Sequence, residues 1–245
     1  MSIVRGGRPF YGQPIGVLMA DAVVPRLPGD IGNAFTFEFP VRYRVVPGAT
    51  WDRFASADPT LLAPFIAGAK ELEAEGVRAI TASCGFTALF QQELADAVGV
   101  PVFTSSLIQV PLVARMLRGD QQVGILTADS RCLTPLHLEA CGIRDVAVVV
   151  WGSERAPAFH GTFVGNADEL DYAKVRTGVI GMVRELLRAH PQVGAIVCEG
   201  SNFALFRSDV QAEFGIPFFD IVTLTRMVFQ AVTPAPLPAA GRGLW

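Results

Sequence analysis

The sequence lacks the features that would place it in several large classes of protein. It has no run of Lys or Arg and a formal net charge of −3, so the electrostatic footprint of a nucleic-acid binder is missing. Its four cysteines, Cys84, Cys132, Cys141 and Cys198, stand far apart without a C-x-x-C pair, and His137, His160 and His190 are equally scattered. Such spacing argues against a disulfide framework and against a zinc site, and no metal is expected. No apolar run approaches the roughly 20 residues that cross a bilayer. The opening MSIVRGGRPFYGQP holds no apolar stretch of the secretory type. Together these absences predict a cytoplasmic protein with no membrane partner.

What is present is apolar. Hydrophobic residues make up 51% of the 245 and charged ones 18%, the composition of a well-buried globule large enough for one big domain or two small lobes. The most informative pattern is an internal repeat. AITASCGFTALF (79–90) aligns without a gap with AIVCEGSNFALF (195–206), and GVPVF (99–103) with GIPFF (215–219), all at an offset of 116 residues. GVLMAD (16–21) and GILTAD (124–129) pair at an offset of 108. Within this register Cys84 falls opposite Gly200, so one copy carries a thiol where the other has none.

Short apolar runs, each followed by a turn and a helical pattern, predict an α/β fold with parallel strands flanked by helices. The repeat divides it into two similar lobes, 12–118 and 121–232, with a site built from the equivalent strand–turn–helix junctions of both and the last helix free to pack on the first lobe. A Pro-, Ala- and Gly-rich tail, 233–245, is expected to be flexible. Two connections stand out. Residues 21–50 are long, rich in Pro, Gly and aromatics, and predict a lid or binding loop, part of which (TFEFPVRYRVV) is extended. Residues 153–169 form a polar stretch before a long helix around 172–190.

Ligands of open α/β folds bind beyond the carboxyl ends of the strands, where the two repeat junctions lie. Cys84 follows the strand VRAITA and precedes a helix, so free N–H groups at a helix start would lower its pKa. The alternative is a buried thiol serving as a small hydrophobe; the Ser-Cys-Gly turn favours reactivity. Gly85 permits close backbone approach, and Thr87 would cap the helix and offer a hydroxyl. In the second junction Gly200, Ser201 and Asn202 either bind ligand or simply shape and cap a turn. Cys198 reads as a strand core residue. Asp21 and Asp129 close the first strand of each half as turn residues that could also orient a substrate. Arg26, Arg42 and Arg44 in the long loop could clamp a carboxylate, and Phe35, Phe37, Phe39 and Tyr43 either contact an apolar substrate portion or cover the core.

TASCGFT and CEGSN, together with FDIVTL (219–224), resemble the aspartate/glutamate/hydantoin racemase superfamily, which includes arylmalonate decarboxylase. The resemblance covers most of 12–232. It implies two pseudo-symmetric lobes with the active site in the cleft between them, and cofactor-independent chemistry at the α-carbon of a small carboxylate, with Cys84 as general acid/base. Substrate oxygens would be held by the turns of Ser83, Gly85, Phe86, Thr87, Gly200, Ser201 and Asn202, with Asp21 nearby. Many members have Cys in the second motif, where this chain has Gly200. A racemase needs a proton donor on each face, so one-cysteine isomerase or lyase/decarboxylase chemistry is the leading expectation. In the decarboxylases the thiol sits in the second motif and glycine in the first, the mirror of this arrangement. A two-base racemase using Cys198 or Glu199 is one alternative, and a non-catalytic small-acid-binding relative is another. A homo-oligomer is compatible with any of them.

Overall fold

The fold is described here from a computed structural model covering residues 7–233; the expected flexible tail, apart from Thr233, lies outside the described residues. The apolar runs form eight strands among the described residues: β1 (Ile15–Met19), β2 (Val41–Val45), β3 (Ala79–Ala82), β4 (Val102–Phe103), β5 (Gln122–Thr127), β6 (Val148–Gly152), β7 (Val193–Cys198) and β8 (Phe218–Phe219). They make two four-stranded parallel sheets, ordered β2-β1-β3-β4 and β6-β5-β7-β8. The repeated order is the structural form of the sequence repeat, with β1 equivalent to β5 and β3 to β7. Pairing of Leu18 with Ala82 and of Leu126 with Cys198 ends the two central strand pairs level with the junctions. The α/β class and paired-lobe architecture read from the sequence are therefore present.

The helices are α1 (Trp51–Ala55), α2 (Leu62–Glu75), α3 (Gln91–Ala97), α4 (Val110–Met116), α5 (Pro135–Ala140), α6 (Pro157–Phe159), α7 (Tyr172–Ala189), α8 (Arg207–Phe214) and α9 (Ile221–Val232). Gly76 stops α2 in the left-handed conformation that its missing Cβ permits. Asp220 starts α9 through a capping box with Thr223.

Each half lends a helix to the other. Val110 and Val113 of α4 share one buried cluster with Val123 and Ile125 of β5. Ile221, Val222 and Leu224 of α9 bury themselves against Ile15, Val17, Ala79 and Phe103 of the first sheet. The core is accordingly continuous across the two sheets.

The long connection 21–50 differs from its expectation. Only Val41–Val45 is a strand, parallel to β1. Phe37 and Phe39 are core, Phe39 stacking on Phe229 of α9 at 3.7 Å between ring centroids. Tyr43 packs on the same cluster and donates its hydroxyl to Ile31 O at 2.9 Å. These aromatics belong to the contact between loop and helix, and none lines the cavity described below. No helix of the described residues is long and apolar enough to cross a membrane.

Candidate active site

The two junctions meet face to face. Past β3 the chain turns through Ser83 and Cys84 into a 3-10 turn, Gly85–Phe90, and past β7 it passes Glu199 and Gly200 into the equivalent turn Ser201–Phe206. The N–H of Ser83 bonds to Leu18 O and that of Glu199 to Leu126 O, so the same ladder bond anchors both turns. Cross-ties bind them together: Ser201 Oγ donates to Ser83 O at 2.6 Å, and Ser106 Oγ donates to Cys198 O. Gly85 is where the approach is closest. A Cβ on it would collide with both the carbonyl oxygen and Oε1 of Glu199, so only glycine lets the halves close to this distance.

Between the junctions lies a cavity of about 70 Å³, lined by Ser83, Cys84, Gly85, Glu199, Gly200 and Ser201. Cys84 is its only thiol. Trp51 and Phe54 of α1 and Val24 wall one side. The other side is built by residues 153–169, the stretch expected to be a polar connection. It holds α6 and a single π-helical turn, His160–Val164, and turns Phe159, Phe163 and Val164 onto the cavity. Ser153 pins this cover to the end of β5, donating to Ala128 O at 2.6 Å and lying 3.0 Å from His160 Nδ1. Across the mouth, the Val23 N–H bonds to Asn166 Oδ1 at 3.0 Å.

The sequence profile of the Asp/Glu/hydantoin racemase family matches residues 30–226. The chain belongs to that family. A dimethylsulfoniopropionate lyase of Durusdinium sp. clade D is 32% identical over 216 residues, covering 85% of this chain and 71% of the relative. Dimethylsulfoniopropionate lyase 3 of Emiliania huxleyi is 29% identical over 233 residues, 91% of this chain but 60% of that protein. Among solved structures, Picrophilus torridus aspartate racemase superposes with a TM-score of 0.60 at 13% identity, covering 90% of this chain and 94% of its own. Unliganded arylmalonate decarboxylase gives 0.55 at 15% identity, covering 94% and 97%. The fold is thus that of the racemases and the decarboxylase, and the chain is an enzyme of lyase or racemase type.

In this family member the junction residues do not all serve as expected. Gly200 faces the cavity, but a Cβ there would sit 3.0 Å from the Phe203 ring, which stacks on Phe159 at 4.2 Å. Opposite Cys84 in the repeat, this chain has a glycine backed by an aromatic pair. Cys198 is fully buried in the second-half core and does not line the cavity. Burial raises its pKa well above the usual thiol value. Phe86 is also core, edge-on to Trp51 and to His137. Thr87 is fully buried with an unpartnered hydroxyl and caps nothing; the capping position of its turn belongs to Cys84. Asn202 gives its amide to Asp30 at 2.7 Å. Asp21, on the cavity rim, accepts the Gly48 N–H at 2.9 Å. Asp129 is a turn residue, clasped by Arg131. Arg42 and Arg44 pair with Glu75 away from the cavity.

Electrostatics also reverse one expectation. The N–H groups of Phe86 and Thr87 are directed at Cys84 and favour its thiolate, yet burial, seconded by the Glu199 charge, outweighs them and raises its pKa. Part of the Cys84 surface nevertheless opens on the cavity. A helix start lowers a thiol's pKa through its free N–H groups; here the turn is 3-10 and desolvation outweighs them. Glu199, 2% exposed, is held by Thr127 Oγ1 at 2.8 Å and the Ala128 N–H at 3.1 Å. Burial nevertheless pushes its pKa up to about 7.

Proposed function

We propose that the cavity is the active site of a cofactor-independent lyase in which Cys84 exchanges the α-proton of a small carboxylate, and that 3-sulfoniopropionates are in its substrate class. The observation that carries this reading is the asymmetry of the junctions: one thiol on one side, Gly200 on the other. Racemisation requires proton exchange on both faces, whereas β-elimination requires it on one. The Cα–H bond breaks towards the Cys84 sulfur, its electron pair forms the Cα–Cβ double bond, and the Cβ–S bond breaks. From dimethylsulfoniopropionate the products are acrylate, neutral dimethyl sulfide and a proton held by Cys84. The leaving group takes its own electron pair, so no acid is needed opposite the thiol.

Glu199 is the acceptor able to take the resting thiol proton, since it lies across Gly85 and is about half charged near neutral pH. A bound sulfonium cation offsets the repulsion that this second negative charge creates. The aromatic faces of Trp51, Phe159 and Phe163 suit such a cation. Both the sequence similarity to sulfoniopropionate lyases and the apolar walls of the cavity support the reading.

A second reading rests on the raised pKa of Cys84. A thiol that rests protonated is suited to donating to a carbanion left by loss of CO2 from a malonate. Incubation with dimethylsulfoniopropionate and, separately, with a substituted malonate distinguishes the two, by headspace dimethyl sulfide and by released CO2. Dimethyl sulfide from the wild type and none from Cys84→Ser is the expected result. Release of CO2 alone selects the decarboxylase, and absence of both products overturns the lyase assignment.

A further inference from the structure

Among the described residues lining the cavity, Arg26 is the only cation. It reaches the cavity from the connection after β1 and is held with some care. Its guanidinium Nη1 pairs with Asp30 Oδ1 at 2.9 Å, with the Arg26 side chain 17% exposed and Asp30 fully buried. Asp30 is fixed in turn by the Gly32 N–H at 2.7 Å and by the Asn202 amide of the second half at 2.7 Å. The Arg26 stem crosses directly over Gly32, where a Cβ would come within 2.5 Å of its Cδ. Glycine at 32 therefore clears the track along which the guanidinium runs.

One acceptor does not satisfy a guanidinium, which has five N–H donors in a planar fork. Nη1 to Asp30 is its only hydrogen bond among the described residues. The remaining donors belong to a group that lines the cavity and whose charge is felt at the Cys84 sulfur. Of the other polar side chains at the junctions, Ser201 Oγ donates to Ser83 O and Asn202 serves Asp30, while Ser83 Oγ accepts from the Ala20 N–H and keeps its own proton to offer beside Arg26.

We infer that Arg26 is the anchor for the substrate carboxylate, with Asp30 and Asn202 as positioning residues that hold its fork towards the cavity. The inference rests on the reading of this cavity as a small-acid site, but not on which reaction follows. A carboxylate on the free edge of the fork gains charge-assisted bonds, and a neutral amide of the same shape does not. Arg26 thereby selects acids over their amides and esters. Because the amide that steadies Asp30 comes from the opposite half, the anchor is complete only when both junctions are together.

The test uses propionate and propionamide as non-reacting probes of the 245-residue chain, followed by saturation-transfer NMR. Propionate is expected to bind the wild type and Cys84→Ser alike, and propionamide neither. Arg26→Gln is expected to weaken propionate about 10- to 100-fold, the value of a charge-assisted pair, with Arg26→Lys in between. Should Arg26→Gln fail to fold because Asp30 is left unpaired, the double variant Arg26→Gln/Asp30→Asn removes the buried charge and tests the same loss. With a turned-over acid, KM is expected to rise by the same factor while kcat changes far less. Propionate binding that is indifferent to Arg26, or equal binding of propionamide, overturns the anchor. Arg26-dependent propionate binding in a protein that releases no dimethyl sulfide keeps the anchor and removes only the lyase reading.

Discussion

Cys84 and Glu199 share a corner of the cavity where burial disfavours both charges and the Glu199 carboxylate further opposes the thiolate. Folded Glu199 holds its proton more tightly than the unfolded chain does. Its contribution to stability is therefore complete below pH 4.5 and declines as pH rises through about 7. Glu199→Gln keeps an oxygen for Thr127 and Ala128 without the charge. We expect urea unfolding to show that it loses this decline and gains up to about 3 kcal/mol on the wild type at pH 8; parallel pH profiles would contradict the assignment. The raised pKa of Cys84 has the same sign, so stability falls further above the ordinary thiol range. It also predicts slow alkylation of the folded protein by iodoacetamide at pH 8, accelerating on unfolding, as read by mass spectrometry. Cys84→Ser should lower turnover by about 100-fold or more while the melting curve stays close to the wild type.

At the scale of elements, the cavity is closed by two connections, one per half, tied at Val23 and Asn166. Asn166 holds a left-handed φ of 54°, a conformation that asparagine tolerates better than most residues. Asn166→Ala removes the bond to the Val23 N–H and adds backbone strain. The expected cost is about 1–3 kcal/mol, and limited proteolysis should cut first within 153–169. Unchanged stability and cleavage would show that the tie does not hold the cover. This element was the hardest to read from the sequence. The strands and the two junctions were legible because repetition at a fixed offset and short apolar runs are local signals. The cover was not, because a short α-helix and one π-turn leave no sustained period. Its trace was the pair Phe159 and Phe163, four residues apart in a stretch otherwise polar. The repeat also held a clue in Phe203, opposite Thr87, which fills the space behind Gly200. Arg26 could not be separated from Arg42 and Arg44 by sequence; only the fold sends one to the cavity and two to Glu75. The raised pKa of Cys84 was not legible because turn position is local, whereas desolvation comes from both halves.

Over the whole molecule, the exchange of α4 and α9 joins halves that the repeat would otherwise leave separable. Neither sheet completes its core alone, so thermal unfolding is expected to be a single transition. Trp51 reports on the first half and Trp151 on the second, and fluorescence of variants that lack Trp245 and keep only one of these two should melt together with the far-ultraviolet dichroism. Separate midpoints would reveal independent lobes. The same exchange imposes an order on biosynthesis. The first sheet leaves the ribosome with one apolar face waiting for α9, which begins about 200 residues after β1 ends. At ordinary elongation rates that wait lasts about 10–40 s. The nascent amino-terminal half is thus a natural client for a chaperone, and truncation before Ile221 would leave it one permanently.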